Sequence, residues 1–261
     1  MTSSTVPAAT LEEAFAVFHE QVASRLQAVA DDAARGGLDA AIDLVVDSIR
    51  RGGVLQAFGT GHSQAFAMEI AGRAGGFIPT NMMALRDIVL RGSRDASVLT
   101  GSSLERDESV VDELFALSPL DAADVFLIAS NSGVNGSIVG VALRAKAEGH
   151  PVIAVTSLEH TNAVTPKHAS GQRLSEVADI VIDNRAPYGD TTIEVPGGVG
   201  VGAVSSLTAA YIAQLITIGA AERIAALGDT PPIYLSANIP GGDEHNHALE
   251  DRYGDRIRRT A

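Results

Sequence analysis

The chain has 261 residues, 46% of them hydrophobic and 20% charged, globular proportions that exclude collagen-like repeats, a coiled coil and wholesale disorder. Its 19 basic and 32 acidic side chains leave a formal net charge of -13, which repels a polyphosphate backbone and sets nucleic acid aside as a partner. There is no cysteine, so disulfides, thiolate nucleophiles and Cys-based zinc sites are excluded and any metal is left to histidines and carboxylates; no metal and no cofactor is assigned.

Leu11, Phe15, Phe18, Val22, Leu26 and Val29 recur three or four apart and predict a first helix of about 20 residues. Gly36-Gly37 breaks it, and Leu38 to Arg51 predicts a second helix ending at Gly52-Gly53. Val54 to Phe58 then reads as a buried strand, Gly59 to Ser63 as a glycine loop, and the residues through Ala74 as a helix. Phe77 to Ala84 is a weaker strand and Leu104 to Leu117 a helix. The same unit returns with Val125 to Ala129 as strand, Ser130 to Gly136 as a small polar loop and Ser137 to Glu148 as helix. Pro151 to Thr156 and, more weakly, Ile180 to Ile182 are further strands.

Val195 to Ala221 carries no charge, and about 20 apolar residues suffice to span a bilayer. Gly197, Gly198, Gly200 and Gly202 at its start, and Ser205, Ser206, Thr208, Gln214 and Thr217 along it, dilute the run. It reads as a helix buried in a core or subunit interface, with no membrane partner expected. Asp243 to Ile257 predicts the last helix. Strands alternating with helices imply right-handed crossovers and a parallel sheet covered on both faces. The expected organisation is one α/β domain over residues 1–261, with a helical arm at 1–51 packed on an αβα core at 52–261. The start of the chain is not signal-like, so a cytoplasmic protein is expected.

Both polar loops fall beyond the carboxyl ends of strands and before helices, where unpaired amides and the helix dipole favour an anion. Ser130, Asn131, Ser132 and Asn135 supply neutral donors for a phosphate monoester; the other reading is a solvated turn. Gly59-Thr60-Gly61-His62-Ser63 begins like a dinucleotide fingerprint, but Gln64 stands where the third glycine belongs and two helices precede the unit, so no nicotinamide cofactor is expected. His62 lies inside this loop, either touching a ligand or serving structure. Glu105 is a further candidate, with an exposed helix position as its alternative. Asp243-Glu244-His245-Asn246-His247 opens the last helix, either as an Asp243 cap with solvated histidines or as part of a site.

Phe58-Gly-Thr-Gly-His-Ser63 together with Ala129-Ser-Asn-Ser-Gly-Val-Asn135 resembles the two phosphosugar loops of SIS-domain (sugar isomerase) proteins. The resemblance extends to Arg73-Ala-Gly-Gly76, Ser102-Ser-Leu-Glu-Arg106, Ser157-Leu-Glu159, His168 to Arg173, Ser236-Ala-Asn238 and Gly242 to Asn246, and so covers nearly the whole chain. The branch it resembles is bacterial and single-domain, and only loosely similar to phosphoheptose isomerases. The resemblance implies a three-layer αβα domain with a five-stranded parallel sheet, a homodimer or homotetramer, and a sugar phosphate held by Ser63, Ser130, Ser132 and Asn135, with Thr60, Gly61, His62, Asn131 and Glu105 nearby.

At the positions where phosphoheptose isomerases carry a zinc-binding histidine and the catalytic glutamate, this chain has Glu69 and Arg73. The resemblance therefore makes Glu69 the base of an enediolate isomerisation, with a helix salt bridge to Arg73 as the alternative. It makes His245 the ring-opening histidine and Glu244 a second candidate base. Elimination on an amino-sugar phosphate, as in muramic acid 6-phosphate etherases, needs the same proton removal. A phosphosugar-binding regulator without catalysis is the reading from another class. The residues before Val54 are too acidic and too few for the helix-turn-helix module that such regulators carry.

Overall fold

The computed structural model describes residues 5–258. Five strands, β2 (Leu55–Gly59), β3 (Thr80–Met83), β4 (Val125–Ala129), β5 (Val152–Thr156) and β6 (Ile180–Asp183), form an all-parallel sheet in the order β3-β2-β4-β5-β6. A second sheet, β1-β7-β8, joins β1 (Val6–Pro7) to a hairpin of β7 (Thr191–Val195) and β8 (Val199–Ala203).

Strand side chains alternate between faces, and β4 shows what that does here. Val125, Leu127 and Ala129 join one buried cluster, and Phe126 and Ile128 the other. The first cluster packs the sheet against α1 (Leu11–Ala34), α2 (Asp39–Arg50), α3 (Gln64–Ile70) and α9 (Ser205–Ala226). The second packs it against α4 (Asp87–Leu90), α5 (Val110–Ala116), α6 (Gly136–Ala147) and α8 (Leu174–Val177). With both faces covered, the strands need no polar side, which is why they read as continuous apolar runs. The result is the three-layer αβα sandwich that the alternating elements imply. The short α7 (Leu158–Ala163) follows β5.

Three expectations are corrected. The uncharged run from Val195 is not one helix: Gly197 and Gly198 turn a hairpin between β7 and β8 before α9 begins at Ser205. The helix expected through Ala74 stops at Ile70, and the one expected from Leu104 to Leu117 is a single 3-10 turn (Leu104–Arg106) followed by α5. Among the described residues no helix is long and apolar enough to cross a membrane.

The last helix, α10 (Gly242–Glu250), sits at the amino end of the sheet, where its Leu249 packs with Ile78 ahead of β3. Past it, Arg256 donates to the Gly52 carbonyl at 2.7 Å and reaches the fully buried Asp124, which precedes β4 and accepts from Val54 N at 2.8 Å. The carboxyl ends of the strands, on the opposite side, stay open.

Candidate functional site

After β2 the chain moves to β3 on one side of it, and after β4 to β5 on the other, so the β2 and β4 loops diverge and leave a crevice between them. This is the switch point at which doubly wound sheets take ligands. Gly59 makes the first loop feasible: a Cβ there would stand 2.4 Å from the Ser63 carbonyl oxygen, so only glycine lets the loop fold back on its strand. Gly61, at φ +55, then turns the chain into α3. In the second loop the Ser130 hydroxyl accepts from Gly133 N at 3.1 Å, and Asn135 leaves in extended conformation to begin α6.

The crevice is a cleft of about 310 Å³ lined by Thr60, Gly61, His62, Ser63, Glu105, Ser130, Asn131, Ser132 and Asn135, joined by His160, Asp190 and Ser205. The structure thus brings together every binding candidate that the sequence singles out, the loop residues and Glu105 alike. Neither lysine nor arginine lines it. The Asn135 side chain does not cap the α6 N-terminus, where the first amides of a helix have no intrahelical partner. The α9 N-terminus is already served: Asp190 accepts from Val204 N at 3.1 Å, Ser205 N at 2.8 Å and the Ser205 hydroxyl at 2.6 Å.

Glu105 stands in the cleft wall because the Ser137 hydroxyl, in the first turn of α6, donates to its carbonyl at 2.7 Å. Its carboxylate accepts weakly from the Thr60 hydroxyl at 3.3 Å and from Asn135 Nδ2 at 3.4 Å, both through Oε2. Among the described residues Oε1 has no hydrogen bond, and it lies 3.2 Å from where a Cβ of Gly61 would be. Asn135 Oδ1 is buried with no partner, an acceptor that a ligand hydroxyl would satisfy.

His160, on α7, accepts from Gly189 N at 3.1 Å through Nδ1, which places the proton of the neutral ring on Nε2. Burial pushes its pKa below the ordinary histidine value, against the opposing pull of Asp190 and Glu159. The imidazole is thus a neutral donor at pH 7. No motif in the sequence marks His160 or Ser205; both enter the cleft through the β5 and β7–β8 connections, which only the tertiary fold brings round.

Glu69, His245 and Glu244 lie elsewhere within the chain. Glu69 accepts from Gln214 Nε2 of α9 at 2.6 Å and is ion-paired with Arg73. His245 Nε2 is 3.0 Å from the Ile233 carbonyl, and Glu244 is exposed on α10. Among the described residues no three His, Asp or Glu side chains are grouped to hold a metal ion.

A doubly wound sheet with a polar cleft at its switch point defines a class of α/β small-molecule-binding proteins. Within that class the description is specific: the SIS domain matches residues 17–157, more than half of the sequence, and the chain belongs to the SIS-domain family. Its relatives include a UPF0309 protein of Listeria monocytogenes, 38% identical over 83% of this chain and 88% of the relative. A UPF0309 protein of Streptomyces coelicolor is 36% identical over 89% of this chain and 92% of its own. Among solved structures, phosphoheptose isomerase GmhA from Neisseria gonorrhoeae aligns with a TM-score of 0.51 at 18% identity, over 83% of this chain and 100% of that one. Escherichia coli CFT073 c3406, solved in complex with a sugar phosphate, aligns with a TM-score of 0.51 at 16% identity, over 82% and 92%. At these identities the two structures share the fold with this chain.

Proposed function

We propose that the cleft binds the phosphate monoester of a sugar phosphate and that the protein interconverts an aldose and a ketose through an enediolate, with Glu105 as the base. The observation that carries this reading is the Glu105 carboxylate, fixed through Oε2 and open at Oε1, in the same cleft as an uncapped helix N-terminus and a loop of neutral donors. A structural neighbour named as an isomerase and another solved with a sugar phosphate support the substrate class.

The phosphate sits at the α6 N-terminus against Ser130, Ser132 and Ser63, held by hydroxyls and amides without a formal cation. Glu105 Oε1 takes the proton from the carbon beside the carbonyl, and the C–H electron pair becomes the enediolate double bond. The His160 Nε2–H donates to the oxygen on which charge develops, the role suited to a neutral imidazole. Glu105 then returns the proton to the former carbonyl carbon while the hydroxyl proton passes between the two oxygens. Proton transfer of this kind contributes about 10²- to 10⁴-fold.

Proton NMR in deuterated water, over hexose, pentose, heptose and N-acetylamino-sugar phosphates, tests the reading. Enzyme-dependent exchange at the carbon next to the carbonyl is expected for one compound, and Glu105→Gln should slow it by about 10²-fold or more while ligand line broadening persists. Glu69→Gln should leave exchange in place. Binding without exchange across the panel would sink the catalytic assignment and make the protein a phosphosugar sensor.

A further inference from the structure

The turn that leads from β6 to β7, residues 184–190, carries both of the non-glycine residues with positive φ among the described residues, Arg185 at +60 and Asp190 at +68. Such conformations cost free energy and persist where surrounding contacts hold them. Here the contacts run to the cleft. Asn184 Nδ2 donates to Asn131 Oδ1 at 3.1 Å, Gly189 N donates to His160 Nδ1 at 3.1 Å, and Asp190 accepts from Ser205 N at 2.8 Å. One turn thus sets three lining side chains that come from three different parts of the chain. From outside, the turn is held by the N-terminal arm. Arg25 of α1 donates through Nε to the carbonyl of Arg185 at 3.1 Å. Its Nη1 is bound to the Gln21 carbonyl at 2.9 Å and to Gln21 Oε1 at 2.6 Å, one helical turn back, so the planar guanidinium is fixed in direction. The other link from α1, Asp32 to Arg185 at 3.9 Å, is an exposed pair that contributes little. Arg25 is half-buried and has no ion pair among the described residues.

We infer that Arg25 is a positioning residue for the cleft: by gripping the Arg185 carbonyl it holds the turn so that the Gly189 amide stays on His160 Nδ1 and leaves Nε2–H as the donor. For its consequence in turnover this rests on the reading of His160 as the neutral donor, whereas the arrangement itself is measurable without substrate. The groups that face His160 are Glu159 on its own helix, Asp190 and the Tyr188 ring from the turn, and Glu105, which lines the same cleft. Arg25 stands behind the turn, where the charges of Glu159 and Asp190 both act on it. Releasing the turn has three effects of one sign. Water reaches the ring, the Gly189 amide no longer occupies Nδ1, and a nearby positive charge is gone; each favours the protonated imidazole.

Nitrogen-15 NMR of the His160 ring in the full chain, followed through a pH titration, tests this together with hydrogen exchange at the Gly189 amide. Arg25→Gln should raise the His160 midpoint, erode the preference for the Nε2–H tautomer and speed Gly189 exchange by about tenfold, the equivalent of one hydrogen bond. The amides of β4 should keep their protection. Arg25→Lys, which retains the charge and a single donor group, should fall between wild type and Arg25→Gln. Arg185→Gln leaves the gripped carbonyl in place and should move His160 far less. A His160 ring unmoved in both Arg25 variants overturns the assignment, as does an equal movement in Arg185→Gln, which would trace the effect to side-chain charge. Loss of protection in β4 in step with Gly189 would make Arg25 a general stabiliser and overturn it as well. No sugar phosphate enters these measurements. Proton exchange can therefore fail on every compound of the panel while the Arg25 result stands, and it can succeed while His160 is indifferent to Arg25.

Discussion

His160 illustrates how a single side chain acquires a role from its surroundings. The sequence offers only a histidine between Glu159 and Thr161; the fold adds a backbone donor to Nδ1, partial burial, and the Tyr188 ring with centroids 5.2 Å apart. Burial dominates and lowers the pKa from the ordinary 6.5. The unfolded chain therefore binds a proton more readily than the folded one in the interval below that value. Stability is unaffected above pH 6.5 and declines as the pH falls toward the folded-state pKa. Nitrogen-15 NMR of the ring should show the Nε2–H tautomer and a midpoint below 6.5. His160→Gln should flatten this part of the acid-side loss of stability. A midpoint at or above the ordinary value would remove His160 as the neutral donor to the enediolate oxygen.

At the scale of elements, what the sequence conveys depends on whether neighbours in the chain are also neighbours in space. β4 is read to the residue, because five consecutive apolar side chains bounded by polar loops have one buried solution. The two binding loops follow from it, since each joins a strand to the helix that comes next. The hairpin is lost for the opposite reason. Val199 and Val201 are exposed on β8, and β7 borrows β1 from the other end of the chain, so no local alternation announces a sheet. The same holds for the carboxylate in the cleft wall. Glu69 shares a helix with the first loop, but α3 packs on α9 and spends that carboxylate on Gln214 and Arg73, whereas Glu105 reaches the cleft across a long connection.

Asp190 joins these elements. It sits at φ +68, ahead of β7, and its carboxylate caps α9. Asp190→Ala removes the cap and strains the turn, so a loss of about 1–2 kcal/mol is expected in urea unfolding. Asp190→Asn, which tolerates the left-handed conformation and keeps one acceptor, should lose less than half of that. If both variants cost the same, the cap is not what anchors Ser205 at the cleft.

For the whole molecule the decisive quantity is the field. A phosphate-binding protein ordinarily recruits its ligand with lysines and arginines, so added salt slows capture. Here the cleft has no basic lining, two carboxylates stand in its wall, and the net charge is -13. A dianionic ligand with an uncharged tail thus approaches against repulsion and is held only at contact, by hydroxyls and amides whose strength salt scarcely alters. Raising the ionic strength from about 0.01 to 0.15 M shortens the screening length from about 30 to about 8 Å, less than the span of the domain's surface charges. The association rate for glucitol 6-phosphate should then rise by about two- to threefold, as read from NMR exchange line shapes, with the dissociation rate nearly constant. A rate that falls with salt would mean that a basic surface steers the ligand, and the phosphate would have to be sought outside this cleft.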